Sequence, residues 1–186
     1  ILVLILIAII WMPGLAYADP AFSFEPATLT ITQGSSGQAT LYLNEAPEGL
    51  AGYGMKASLS DPGIAEISMV SYPSWGKLTK EPAVPAQSVL ISAVDLEQLV
   101  QGGSTNIPLA TLTLHGIAHG TTTLTLSGVN LDADGGGSIT PGTGTLQVIV
   151  IGSGLPSPMP GNIATVGAAI GIAVIGSLWF RKRRDS

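Results

Sequence analysis

The polar residues most closely spaced for chemistry lie in NLDADGGGSITP, Asn130 to Pro141. With Asn130 as the first position, Asp132 is third, Asp134 fifth and Gly135 sixth. That is the spacing with which a calcium loop turns its oxygens onto one ion and bends sharply at glycine. Such a loop needs a bidentate carboxylate at its twelfth position, and here that position is Pro141, so any calcium held by Asn130, Asp132 and Asp134 is held weakly. The other reading is a turn between the last two strands, with Asn, Asp and Gly present for backbone geometry. His115 and His119 stand four apart in HGIAHG. On a helix that spacing puts both on one face as zinc ligands, whereas Gly116 and Gly120 after them fit a corner of the chain. Glu45 with Glu48, and Asp95 with Glu97, are carboxylate pairs of the kind used in sugar hydrolysis; otherwise they are exposed loop acids. Tyr72 and Trp75 in SYPSWG sit beside Pro and Gly, off the regular pattern. Exposed, they could stack on a sugar ring or anchor a protein partner; buried, they plug the end of a core.

Other chemistry is excluded more firmly. The chain has no cysteine, hence no disulfide framework, thiol nucleophile or thiolate metal site. It lacks G-x-S-x-G, H-E-x-x-H and a phosphate-cradling glycine loop ending in Lys-Ser/Thr. Of its 12 acidic residues all but Asp185 lie in the interval 19–151, against Lys56, Lys77 and Lys80 and no arginine. That surface repels nucleic acid, whose binding requires phosphates to be neutralised by Lys and Arg. Apart from weakly held calcium, no cofactor is expected, and the chain reads as a non-enzyme.

The elements that must position these residues follow a period of two. In ATLTIT, Leu29 and Ile31 face one way and Thr28, Thr30 and Thr32 the other. In QATLYL, Ala39, Leu41 and Leu43 share a face, and in GYGMKASLS Tyr53, Met55, Ala57 and Leu59 do. IAEISMV, SVLISAV, LATLTL, TTTLTLS and TLQVIVI continue the series. Alternation of this kind marks half-buried strands, eight or nine here, separated by Gly and Pro turns such as Pro62-Gly63 and Gly102-Gly103. The pattern predicts an all-β antiparallel sandwich. Only DLEQLVQ, Asp95 to Gln101, reads as one or two turns of helix.

The apolar excess sits at the two ends. Residues 1–18 combine an apolar run, Pro13-Gly14 and Ala16-Tyr17-Ala18, which reads as an export signal whose basic n-region is missing, cut after Ala18. Residues 152–162 are rich in Pro, Gly and Ser and read as a stalk. Residues 163–180 carry no charge and at about 1.5 Å per residue reach roughly 27 Å, enough to span a bilayer as a helix. Arg181, Lys182, Arg183 and Arg184 follow, so the tail 181–186 is expected in the cytoplasm and the domain outside. Gly167 and Gly171 form a small-residue spacing that lets membrane helices pair. The order Pro-Gly, apolar helix, basic cluster resembles sorting signals cut by sortase-like transpeptidases, although Asn162 stands where the common archaeal signal has Phe.

Three stretches carry a family resemblance. LAGYGMKASLSDPGIAEI (Leu50 to Ile67) resembles the cohesin-type pattern of a Gly-aromatic strand, an Asp-Pro turn and an apolar strand. PLATLTLHGIAHGTTTLTLSGVNL (Pro108 to Leu131) is similar to the paired late strands of that family, and TLTITQGSSGQATLYLNEAPEGLAGY to its opening. The resemblance spans 19–151 and extends to archaeal surface proteins with one such domain, a stalk and a C-terminal anchor. It implies a nine-stranded jelly-roll that binds protein partners, dockerin-like ones among them, through one sheet face and does no chemistry. The expected function is therefore adhesion or assembly at a prokaryotic, archaeal cell surface. The alternatives are a carbohydrate-binding module that takes polysaccharide through Tyr72 and Trp75, and a structural component of the envelope or surface layer.

Overall fold

The computed structural model describes residues 19–153. The expected export signal (1–18), membrane helix (163–180) and basic tail (181–186), with the stalk beyond its first two residues, lie outside the described residues. Nine strands form: β1 (Phe22–Glu25), β2 (Thr28–Thr32), β3 (Ser36–Ala46), β4 (Gly52–Leu59), β5 (Ala65–Ser71), β6 (Ser88–Val94), β7 (Ser104–Gly116), β8 (Gly120–Asp132) and β9 (Thr145–Ile151). They make two sheets, one in the order β1-β3-β7-β5 and the other in the order β2-β9-β8-β4-β6. No helix occurs among the described residues, and so none there is long and apolar enough to cross a membrane.

The period-two alternation is borne out side chain by side chain. Leu29 and Ile31, then Ala39, Leu41 and Leu43, then Tyr53, Met55, Ala57 and Leu59 all enter one core between the sheets. Each fully buried Leu or Met is worth about 1.5–3 kcal/mol relative to exposure. A one-residue slip would turn every one of them outward, so the hydrophobic pattern also fixes the register.

Two expectations change, and the structure adds a feature between them. The sandwich is not wholly antiparallel, because β2 runs parallel to β9 from Thr28 opposite Gln147 to Thr32 opposite Ile151. The first strand is split: β1 pairs with β3 in one sheet and β2 with β9 in the other, and the switch falls at Pro26, which has no N–H to offer a continuous ladder. The segment Asp95 to Gln101 is a turn rather than a helix. Asp95 takes the Val100 N–H at 2.7 Å and the Glu97 N–H at 3.3 Å, a local bond of the type by which Asp competes with helix formation. One or two turns alone could not outweigh it.

Two aromatic rings tie the sheets together. The buried Tyr53 hydroxyl on β4 donates to the Leu109 carbonyl on β7. The Trp75 ring meets Tyr53 edge-on, with centroids 5.9 Å apart at 62°, and its Nε1–H donates to the Pro108 carbonyl at 3.0 Å.

Burial, reinforced by the nearby Tyr72, pushes the Tyr53 phenol well above its usual range. In the unfolded chain it ionises near pH 10. The stabilisation it contributes is therefore complete below pH 10 and is lost as pH rises above that value. Tyr53→Phe removes the phenol and leaves the Leu109 carbonyl unpaired, costing about 1–3 kcal/mol at pH 7. In urea unfolding, the gap between the wild-type protein and Tyr53→Phe should narrow from pH 10 to pH 11 by up to about 1.4 kcal/mol. Asp95→Ala should lower stability by about 1–3 kcal/mol and speed hydrogen exchange at the amides of Glu97 and Val100, which read the loss of both bonds directly.

Candidate functional site

The two sheets present different outer surfaces. On the four-stranded sheet the outward side chains bond to one another: Thr40 to Thr111 at 2.9 Å, Gln38 to Thr113 at 3.4 Å, and Ser36 to the Nδ1 of His115 at 3.3 Å. Ser36, His115 and Glu66 stand in one row across β3, β7 and β5, an order suggestive of a nucleophile, a base and an acid. Glu66 makes no ion pair with the imidazole, so the row lacks the base-to-acid contact of a triad. His119 is exposed in the corner between β7 and β8, and the two histidines do not form a helical zinc pair.

The outward face of β8, β4 and β6 is the exception to this self-satisfied pattern. With Tyr53, Met55, Ala57 and Leu59 facing in, β4 turns Gly52, Gly54, Lys56 and Ser58 the other way. Opposite them stand Val94, Ser92, Leu90 and Ser88 of β6 and Asp132, Asn130, Ser127 and Thr125 of β8. Leu90 is 45% exposed and Val94 37%. Along the outer edge of β6, Lys77 exchanges backbone bonds with Val94 at 2.8 and 2.9 Å, which covers that end of an otherwise open edge. Beside it Leu78 is 73% exposed and holds a left-handed backbone at φ 47°, a sparsely populated state for a bulky residue. Leu96 and Leu99, in the loop after β6, are exposed as well.

Charge is concentrated here too. Lys77 donates to the Ser74 carbonyl at 2.9 Å and pairs with Glu97 at 3.7 Å. Lys56 is exposed at the centre of the face and makes no ion pair among the described residues. The face therefore joins the exposed apolar side chains of Leu90 and Val94 to an exposed ammonium on the neighbouring strand.

The residues singled out from the sequence are dispersed over the structure, with Asn130 and Asp132 on this face and Glu45 and His115 on the other sheet. Tyr72 is half-buried and its hydroxyl donates to the Lys80 carbonyl at 2.8 Å, while Trp75 is only 7% exposed and its ring lies in the core. Asn130 points its amide nitrogen at both oxygens of Asp132, at 3.3 and 3.4 Å. Asp134 instead lies against Gly49, whose φ of 83° suits glycine and where a Cβ would collide with the carboxylate. Among the described residues no three acidic or imidazole side chains converge, so of the three loop residues singled out the structure brings Asn130 and Asp132 together and turns Asp134 toward Gly49. The four acids do not behave as exposed pairs: Glu45 is 8% and Asp95 6% exposed, and Asp95 is spent on its own loop. A recess of about 220 Å³ lined by Pro20, Pro47, Glu48, Ser138, Ile139 and Thr140 is smaller than the usual range of about 300–1,000 Å³ for ligand pockets.

The sequence reading missed Leu78, Leu90, Val94 and Lys56. A signal was present in SVLISAV, where Leu90 and Val94 are apolar at the positions that alternation turns outward. The neighbourhood of Lys56 is set by the pairing of β4 with β6 and β8, which the sequence does not state.

No family model and no curated protein matches the chain. Solved structures do match. A non-cellulosomal cohesin from the hyperthermophilic archaeon Archaeoglobus fulgidus superposes with a TM-score of 0.57 at 17% identity, covering 72% of this chain and 92% of that one. A cohesin module from a Clostridium perfringens family 33 glycoside hydrolase gives 0.57 at 12% identity, covering 73% and 99%. The cohesin of a type I cohesin–dockerin complex from Clostridium thermocellum gives 0.55 at 13%, covering 73% and 97%. The described residues have the fold of a cohesin module.

Proposed function

We propose that the chain is a non-catalytic binding module, exported and tethered to the cell surface, that recruits a protein partner of dockerin type through the outward face of β8, β4 and β6. The observation that carries this reading is the exposure of Leu90 beside Lys56, which makes no ion pair among the described residues, and of Val94 and Leu78 at the end of β6 where Lys77 bonds to Val94. The hydroxyl-lined face of the other sheet is satisfied by its own hydrogen bonds. Dispersed apolar residues at a surface are ordinary, whereas apolar residues gathered on a sheet face with few obstructing side chains favour burial against a partner. Solved neighbours include cohesins in complex with dockerins, which supports a partner of that class. Export and tethering rest on the apolar runs at 1–18 and 163–180 and on the basic cluster at 181–184.

Binding should be read by calorimetry against dockerin-bearing proteins from the same cell surface. Leu90→Arg should weaken the bound partner at least tenfold, a loss of about 1.4 kcal/mol or more. Thr30→Arg, on the exposed face of β2, should leave it unchanged. Equal affinity of Leu90→Arg and wild type would remove this face from the function.

A further inference from the structure

We propose that the face of β8, β4 and β6 is self-complementary and closes on a second copy of this chain about a two-fold axis passing over Ser92, Gly54 and Asn130. Register arranges the outward positions in rows across the three strands. Leu90, Lys56 and Ser127 form the first row, Ser92, Gly54 and Asn130 the second, and Val94, Gly52 and Asp132 the third. When a second copy is turned over so that its strands run antiparallel to the first, with the middle row as axis, each first row meets a third row. Leu90 then covers Val94 of the second copy. Lys56 arrives over Gly52 of the second copy, one strand, or about 4.8 Å, from its Asp132. The two-fold axis repeats both contacts.

Three features of the face fit this arrangement. Leu90 and Val94 are the outward apolar residues of β6, and each supplies what the other lacks, a cover. Lys56 has no ion pair among the described residues, and the recorded partner of Asp132 is the neutral amide of Asn130. At Gly54 nothing lies within 4 Å of where a Cβ would stand, so the axis crosses a depression that lets the middle rows approach. Packed sheets lie about 10 Å apart, a gap that a lysine reaching toward an aspartate can close.

The contact is three strands wide and three rows deep, well under the roughly 800 Å² per partner of a standard stable interface. Association is therefore weak and reversible, and the face is released when a better-fitting partner arrives. The self-contact competes with the docking proposed above. It uses the same surface but needs no foreign protein, so its failure leaves that reading standing.

The absence of cysteine makes the test direct. Ser92→Cys places a single thiol on the axis, beside its own copy, and Thr30→Cys places one on β2 of the same sheet, away from it. With the purified full chain in detergent and a short bismaleimide, Ser92→Cys should yield at least fivefold more cross-linked dimer than Thr30→Cys. In the Ser92→Cys background, Lys56→Glu or Asp132→Lys should each lower the yield about tenfold, because like charges then meet at two equivalent contacts. Joining the two substitutions should restore the yield, because the charges have exchanged places. A Ser92→Cys yield no higher than that of Thr30→Cys would overturn the proposal. So would a doubly substituted chain that keeps its β circular dichroism spectrum and stays at the yield of the single variants.

Discussion

The inward row of β4 governs what the rest of the molecule can present. Tyr53, Met55, Ala57 and Leu59 are held in the core, and Tyr53 is bonded across the sandwich to the Leu109 carbonyl and packed edge-on against Trp75. Because strand side chains alternate, this burial turns Gly52, Gly54, Lys56 and Ser58 to the outer side of the sheet, where Lys56 is exposed and Gly52 is covered by Val94. β4 lies between β6 and β8, so the choice made by one strand sets the surface formed by three. A Tyr hydroxyl that must find a buried acceptor also pins the strand lengthwise, which holds the rows in step.

That constraint explains why the two outer surfaces differ. On the four-stranded sheet, Thr, Ser and Gln side chains find one another across strands and gain little from a visitor. On the five-stranded sheet, Leu90 and Val94 occupy positions where such hydroxyls would otherwise stand, and glycine removes side chains from the middle. A flat surface with apolar and charged elements of both signs has two uses open to it, contact with a partner and contact with itself. Weak self-contact is compatible with a partner-binding role because only a small area must be uncovered first.

Much of this architecture was legible in the sequence, for a physical reason. A residue such as Leu41 or Met55 is apolar because it is buried, and burial recurs every second residue, so the strands announce themselves. Pairing does not. The parallel partnership of β2 with β9 and the division of the first strand at Pro26 depend on which distant segments meet, and no local pattern records that. Asp95 to Gln101 has the spacing of a helix but is a turn, because the Asp95 carboxylate captures backbone groups a helix would use. Leu90 and Val94 carried a visible signal in their parity. Lys56 became meaningful only once register placed it between Leu90 and Ser127.

The proposed role requires the outward face of β8, β4 and β6 to be the place where this molecule is touched. Hydroxyl-radical footprinting of the full chain at the cell surface reads that occupancy without altering a residue. Leu78, Leu90 and Val94 should be oxidised more slowly there than in the dilute purified protein, while Met69, exposed on the opposite sheet, should be oxidised at the same rate in both. Slowed oxidation at Met69 with none at Leu90 and Val94 would contradict the account and move the contact to the other face.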